Sequence, residues 1–276
     1  MKILVTGGNG QLGTALTLQK SKHEIISCTR DELNIEKRQS ISEAMALHKP
    51  DAVINCAAWT DVDGCEEEPD KAFNTNGYSV GVLKEFTEKF NSRLIQISTD
   101  YVFDGTKSSP YTENDLPNPL NIYGHSKLLG EQLAGERSLI IRTSWIFSRK
   151  GHNILQSILA LLEKDNKLRF VNDQIGNPTY SYDLAAVILK LIDSSATGLF
   201  HVTNADPVSW YELAVKVAEL TDKNPERIVP IATEELKPQR KAQRPKNSVL
   251  ENKSLVLKGY SPVRSHEKAL LDALQL

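Results

Sequence analysis

The run Lys2-Ile3-Leu4-Val5-Thr6 leads straight into Gly7-Gly8-Asn9-Gly10-Gln11-Leu12-Gly13, after which apolar residues recur at helical spacing. Three glycines spaced by three, between a strand and a helix, constrain the fold more than any other feature. Gly7 permits a tight turn, Gly10 lets the backbone approach a pyrophosphate, and Gly13 allows close helix packing. The helix that follows turns its positive end toward phosphate charge. No Gly-Lys-Ser/Thr follows, which excludes a P-loop, and the flanking strand and helix set the segment apart from an ordinary glycine-rich turn. Gly7, Gly10, Gln11, Leu12 and Gly13 are therefore expected to contact a dinucleotide.

Short β-branched runs then alternate with helical patterns, as in βαβ units with a parallel sheet. Strands are expected at Lys2–Thr6, Glu24–Cys28, Ala52–Asn55, Arg93–Ser98 and Leu139–Arg142, and helices at Leu12–Lys20, Ile41–His48, Ser79–Phe90 and Asp183–Ile192. Beyond Thr143, prolines and glycines break the rhythm. The predicted fold class is α/β: a Rossmann-type doubly wound parallel sheet with a smaller substrate-binding region built from C-terminal insertions. Its dinucleotide-binding part takes residues 1 to 146 plus about 180 to 206, and the substrate region about 147 to 179 and 207 to 276, partly interleaved.

Bulk properties narrow the partners. The 276 residues carry 33 Lys and Arg against 35 Asp and Glu, a net charge of -2, so no nucleic-acid or anionic-membrane footprint exists. The apolar run Ile154–Leu162 is about half a membrane span, and the early glycines interrupt any signal-peptide core. Three cysteines, Cys28, Cys56 and Cys65, lack zinc spacing and favour free thiols in the cytoplasm. The six histidines form no ligand pair, so no metal site is expected.

The Gly7, Gly10 and Gly13 spacing resembles the extended short-chain dehydrogenase/reductase family. Where an NAD-selective site places a carboxylate on the ribose, this chain reads Cys28-Thr29-Arg30. Arg30 either binds a 2′-phosphate, which favours NADPH with NADH also accepted, or is a solvated surface arginine beside Asp31. Asn34-Ile35 is similar to the family's adenine-contacting pair, with Asn in place of Asp. Asn55-Cys56-Ala57-Ala58 resembles its Asn/His-x-Ala-Ala, which places Ala57 and Ala58 against the cofactor, and Asn76 matches its helix asparagine.

Tyr123-Gly124-His125-Ser126-Lys127 sets a tyrosine and a lysine four apart, on one helix face. A phenol with a pKa near 10 exchanges protons poorly, and a neighbouring ammonium would lower it. Tyr123 is then the proton donor to a carbonyl oxygen, with Lys127 also holding the nicotinamide ribose. Thr99, at the end of the fourth strand, is the expected third catalytic group, with Ser98 beside the cofactor. The related dehydratases read Ser-Thr-Asp-Glu-Val-Tyr-Gly, whereas this chain has Ser98-Thr99-Asp100-Tyr101-Val102-Phe103-Asp104-Gly105. Tyr101 displaces the glutamate that elimination requires, which leaves carbonyl reduction as the simpler fit.

Five segments together resemble the family's nucleotide-sugar 4-ketoreductases: 57–63, 98–105, 142–145, 173–179 and 244–248. That resemblance implies reduction of dTDP-6-deoxy-L-lyxo-4-hexulose to dTDP-L-rhamnose for surface polysaccharide. It also places Thr60 by the cofactor and Val62, Tyr101, Val102 and Trp145 by the sugar, with Trp145 equally readable as core filler. Arg244 is the expected contact for the nucleotide diphosphate, whereas Lys237, Arg240 and Lys241 read as a solvated loop. Relatives with a magnesium-bridged dimer carry a glutamate where this chain has Ala15, so neither that metal nor that dimer carries over, although a homodimer of another kind stays open. Glu66-Glu67-Glu68 reads as a helix-start surface cluster. Two rival readings remain: a reductase or epimerase of another nucleotide sugar, and a non-catalytic NADP-binding regulatory subunit resembling that of methionine adenosyltransferase.

Overall fold

The structure, a computed structural model, describes residues 1–164 and 166–276. In chain order the first half contains β1 (Lys2–Thr6), α1 (Gln11–Leu18), β2 (Glu24–Ser27), α2 (Arg38–His48), β3 (Ala52–Asn55), α3 (Val62–Glu67), α4 (Pro69–Phe73), α5 (Ser79–Lys89), β4 (Arg93–Thr99), α6 (Ile122–Ala134) and β5 (Leu139–Thr143). The second half contains β6 (Ile146–Phe147), α7 (Ile154–Leu162), β7 (Leu168–Val171), β8 (Ile175–Gly176), β9 (Thr179–Tyr180), α8 (Ser181–Asp193), β10 (Gly198–His201), β11 (Val208–Ser209), α9 (Trp210–Leu220), β12 (Ile228–Ile231), α10 (Lys253–Leu257) and α11 (His266–Leu274).

Six of these strands form one sheet in the order β10-β5-β4-β3-β1-β2, every neighbouring pair parallel. Strand side chains alternate between faces, and both faces here are covered, so β1 is apolar throughout. Ile3 and Val5 pack with Leu12, Leu16, Leu184 and Ile188, beneath α1 and α8. Leu4 points the other way, into Ile41, Met45, Val53 and Leu83 from α2, β3 and α5. The expected strands and helices all form, with ends displaced by a few residues. α1 stops at Leu18 because Gln19 is extended and its N–H caps the carbonyl of Ala15.

A separate core joins α7, α9 and α11, through Leu155, Ile158, Leu213, Val217 and Leu270. Short strand pairs replace the regular sheet there: β7 with β12, β8 with β11 and β6 with β9. α8 returns to the large sheet instead, and Arg93 fastens its end by donating to the carbonyls of Ile192 (3.2 Å) and Ala196 (2.6 Å). No helix among the described residues is long and apolar enough to cross a membrane.

Candidate active site

Strand order reverses between β1 and β3, and the carboxyl ends flanking such a switch open a ligand crevice. The crevice floor is fixed by a polar chain across three strands. Thr6 Oγ1 donates to Asn55 Oδ1 (2.6 Å), and Asn55 Nδ2 donates to Gln96 Oε1 (2.8 Å). Gly7 then turns with φ +63°, and a Cβ there would lie 2.9 Å from the Ala57 nitrogen. A Cβ on Gly13 would meet the Gly7 carbonyl at 2.6 Å. Such close backbone contacts form the cradle that a dinucleotide pyrophosphate needs.

Beside it lies a cavity of about 230 Å³ that gathers Gly7, Gly10, Arg30, Asn34, Ile35, Ala57 and Ala58, as the sequence anticipates. Sequence reasoning missed Glu36 and Thr75 on the same wall. Glu36 accepts from Arg30 (2.8 Å) and from the Thr75 hydroxyl, so the arginine, though its side chain is largely exposed, is paired at the cavity mouth. Leu12 departs from expectation in its side chain, which is buried in the core beneath α1. Gln11 turns toward Ser148. Asn76 is buried and clamps the next loop, accepting from the Trp59 nitrogen (2.8 Å) and donating to Ser126 Oγ (3.1 Å). Thr60, which follows Trp59, is exposed.

At the end of β4, Thr99 Oγ1 donates to Asp100 Oδ1 (3.0 Å) and accepts from the Tyr101 nitrogen (3.2 Å). Asn121 starts α6 by accepting from the Gly124 nitrogen (2.8 Å), while Glu66 accepts from the Ile122 nitrogen (2.8 Å). Glu66 is thus a structural tie, whereas Glu67 and Glu68 are exposed at the helix junction, as the surface-cluster reading expects, and pair with Lys241 and Lys71. Gly124 permits the decisive approach of α6, because a Cβ there would sit 2.2 Å from the Tyr101 carbonyl. That approach sets Tyr123 edge-on to Tyr101, with ring centroids 5.9 Å apart.

Lys127 is buried and donates to the Ile97 carbonyl (2.6 Å). Burial lowers its pKa to about 8, against an opposing pull from Glu131. The Tyr123 phenol is pushed above its ordinary range, chiefly by burial, with Thr99 drawing it partly back. This reverses the expected direction: desolvation outweighs any lowering by the lysine, so the phenol keeps its proton. Asp100 is wholly enclosed, and burial raises its carboxyl to about 7. The buried Ser98 hydroxyl has no protein partner among the described residues.

A second cavity, of about 350 Å³, brings Tyr101 and Arg244 together with Arg169, Gln174, Trp210 and Arg240. Two corrections follow. Val102 leaves the sugar-contact set, because its side chain is fully buried among Phe103, Tyr111 and Leu250. Arg240, read as part of a solvated loop, lines this cavity. Arg244 is there too, but Asp63 holds its fork bidentately (2.7 and 2.8 Å), which keeps the Asp63 carboxyl well below the usual range. Val62 lies next to Asp63 at the start of α3, half-buried.

Trp145 adopts a left-handed backbone (φ 46°) and stacks on Trp210 at 3.4 Å. Gly176 lies against its indole, where a Cβ would come within 2.6 Å. Trp145 therefore braces a cavity-lining tryptophan. Ala15 is fully buried, and among the described residues no three His, Cys, Asp or Glu side chains converge on a metal position.

A glycine cradle at the switch point, with threonine, tyrosine and lysine gathered where β4 ends, defines the class of extended short-chain dehydrogenases/reductases. Within it, the chain belongs to the RmlD substrate binding domain family, which it matches over residues 1–276. It is 40% identical to the spore coat polysaccharide biosynthesis protein SpsK of Bacillus subtilis, over 99% of this chain and 97% of that protein. It is 37% identical to dTDP-4-dehydrorhamnose reductase of Burkholderia thailandensis, over 92% of each. The crystal structure of dTDP-4-dehydrorhamnose reductase from Bacillus anthracis in complex with NADP superposes with a TM-score of 0.94 at 33% identity, covering 99% of this chain and 98% of that one.

Proposed function

We propose that this chain is an NADPH-dependent oxidoreductase that reduces the 4-keto group of dTDP-6-deoxy-L-lyxo-4-hexulose to give dTDP-L-rhamnose for surface polysaccharide. The observation that carries this reading is the gathering of Thr99, at the carboxyl end of β4, with a half-buried Tyr123 edge-on to Tyr101 and Lys127 fixed one helical turn away. The relatives named dTDP-4-dehydrorhamnose reductase support the substrate, and the NADP complex supports the cofactor. The glycine cradle and the cavity around Arg30 fit that dinucleotide.

When bound, the reduced nicotinamide supplies hydride to the carbonyl carbon. Tyr123 Oη gives its proton to the carbonyl oxygen, a step suited to a phenol that burial keeps protonated. Thr99 Oγ1 helps hold the negative charge that develops on that oxygen. Lys127 would keep a positive charge close to the phenolate as it forms and would hold the ribose. Tyr101 and the arginines of the 350 Å³ cavity take the sugar and its diphosphate; Arg240 and Arg169 each hold one longer ion pair, to Asp63 (3.4 Å) and Glu235 (3.3 Å), against the bidentate hold of Asp63 on Arg244. Arg30, paired with Glu36, would hold the 2′-phosphate. Free Cys28, Cys56 and Cys65 agree with a reducing cytoplasm. A homodimer would form without a metal bridge at position 15.

The test is turnover of NADPH with a panel of nucleotide-linked 4-keto-6-deoxy sugars. The dTDP-linked lyxo sugar should be reduced fastest, with dTDP-L-rhamnose as product. Reduction confined to UDP- or CDP-linked sugars, or no turnover on any, would overturn the assignment.

A further inference from the structure

A further cavity, of about 640 Å³, lies on the outer side of the phosphate loop. Asn9, Gly10, Gln11 and Thr14 form one wall, and the loop Ser148–His152 between β6 and α7 forms the other. Asn9 and Gly10 also line the cavity beside Arg30, so the two spaces meet across the phosphate loop.

The outer loop is rigidly built. Asn153 is buried and its Nδ2 lies 3.1 to 3.3 Å from the carbonyls of Ser148, Lys150 and Gly151 and from Ser148 Oγ. Its Oδ1 accepts from the Gln156 nitrogen (3.2 Å), so one side chain both shapes the loop and starts α7. Ser148 Oγ lies 3.1 Å from Gln11 Oε1 and ties the loop to the phosphate loop. Held in this way, Arg149, Lys150 and His152 border a cavity that, among the described residues, no aspartate or glutamate side chain lines. Arg149 donates through Nε to the Tyr180 hydroxyl (3.0 Å), which directs its guanidinium while leaving the two terminal nitrogens available. Opposite stands the first turn of α1, with no side-chain cap and no acidic residue.

We infer that the Ser148–His152 loop is a second, cationic wall for the dinucleotide pyrophosphate, with Lys150 as its principal charge. This rests on the dinucleotide reading above and adds a contact from the opposite side of the phosphates. A mobile lysine acts there as a point charge, while the backbone N–H groups of the phosphate loop provide directional bonds. Both NADH and NADPH carry the pyrophosphate, whereas only NADPH carries the 2′-phosphate facing Arg30. The two positions are therefore separable by cofactor.

The experiment is equilibrium titration of the full chain with NADH and with NADPH, read by cofactor fluorescence, at low and high salt. Lys150 is exposed, so Lys150→Ala and Lys150→Glu leave the core untouched. Lys150→Ala should raise Kd about three- to tenfold for both cofactors alike, Lys150→Glu should raise it further, and high salt should shrink both effects. Unchanged Kd values in Lys150→Glu would overturn the inference and leave the reductase reading standing. A loss confined to NADPH would also overturn it, because it would move Lys150 to the 2′-phosphate. If the unaltered chain bound neither cofactor, the inference and the reading beneath it would fall together.

Discussion

Tyr123→Phe isolates the proton donor from everything else the side chain does. Phenylalanine keeps the edge-on contact with Tyr101, whose ring centroid is 5.9 Å away. The Thr99 hydroxyl keeps its bond to Asp100 (3.0 Å), so the substitution strands no buried donor, and stability should change by less than about 1 kcal/mol. What disappears is general acid catalysis, typically worth about 10² to 10⁴ in rate, or roughly 3 to 5 kcal/mol of barrier. Steady-state turnover on the dTDP-linked 4-keto sugar should fall by that factor, and kcat/KM should fall in parallel. The Kd for NADPH, measured by fluorescence, should stay within about twofold. Turnover within about tenfold of the unaltered chain would refute the argument. Asp100 would then become the candidate acid, since burial already brings its carboxyl to about 7.

Arg30→Ala should weaken NADPH binding while sparing NADH, and an equal loss for both cofactors would remove the 2′-phosphate role. Because Lys127 titrates at about 8, its cation is present below that pH and lost above it, so kcat/KM should decline on the alkaline side of about 8. A profile flat to about pH 10 would contradict that assignment. Gly176→Ala drives a methyl to within 2.6 Å of the Trp145 indole and should cost about 1 to 3 kcal/mol by overpacking, read as a thermal melting shift of about 2 to 4 °C per kcal/mol. An unchanged melting temperature would show that the tryptophan stack yields more easily than its geometry implies.

The sheet and the cofactor cradle were legible in the sequence because they are local. Ile3 and Val5 face one layer, Leu4 the other, and the glycines follow within one turn. Tyr123 and Lys127 were equally readable, being neighbours on one helix. The proposed substrate side was not, because its contacts join residues far apart in the chain. Asp63 meets Arg244 across 181 positions, and nothing near either residue announces the pair. Trp145 takes its role from Trp210, which only the packing of α9 brings within 3.4 Å. Val102 was misplaced because the chain leaves extended geometry after Thr99, and a short 3₁₀ turn over Asp100–Val102 sends its side chain inward. The sign of the Tyr123 shift was missed for a related reason: spacing shows which charge is near, and only the fold shows how much water is gone.

The segment from Gln243 to Glu251 touches the site at many points. Its backbone and side chains bond to Asn121, Tyr111, Ile175, Asn177 and the carbonyl of Lys107. These bonds impose an order on synthesis. Strands β1 to β5 can pair as soon as they are made, as N-terminal units generally do. The stretch between β4 and α6 must wait for partners encoded more than a hundred residues later. On the proposed function, a growing chain would have the residues of its dinucleotide cradle well before those that close its sugar-side cavity.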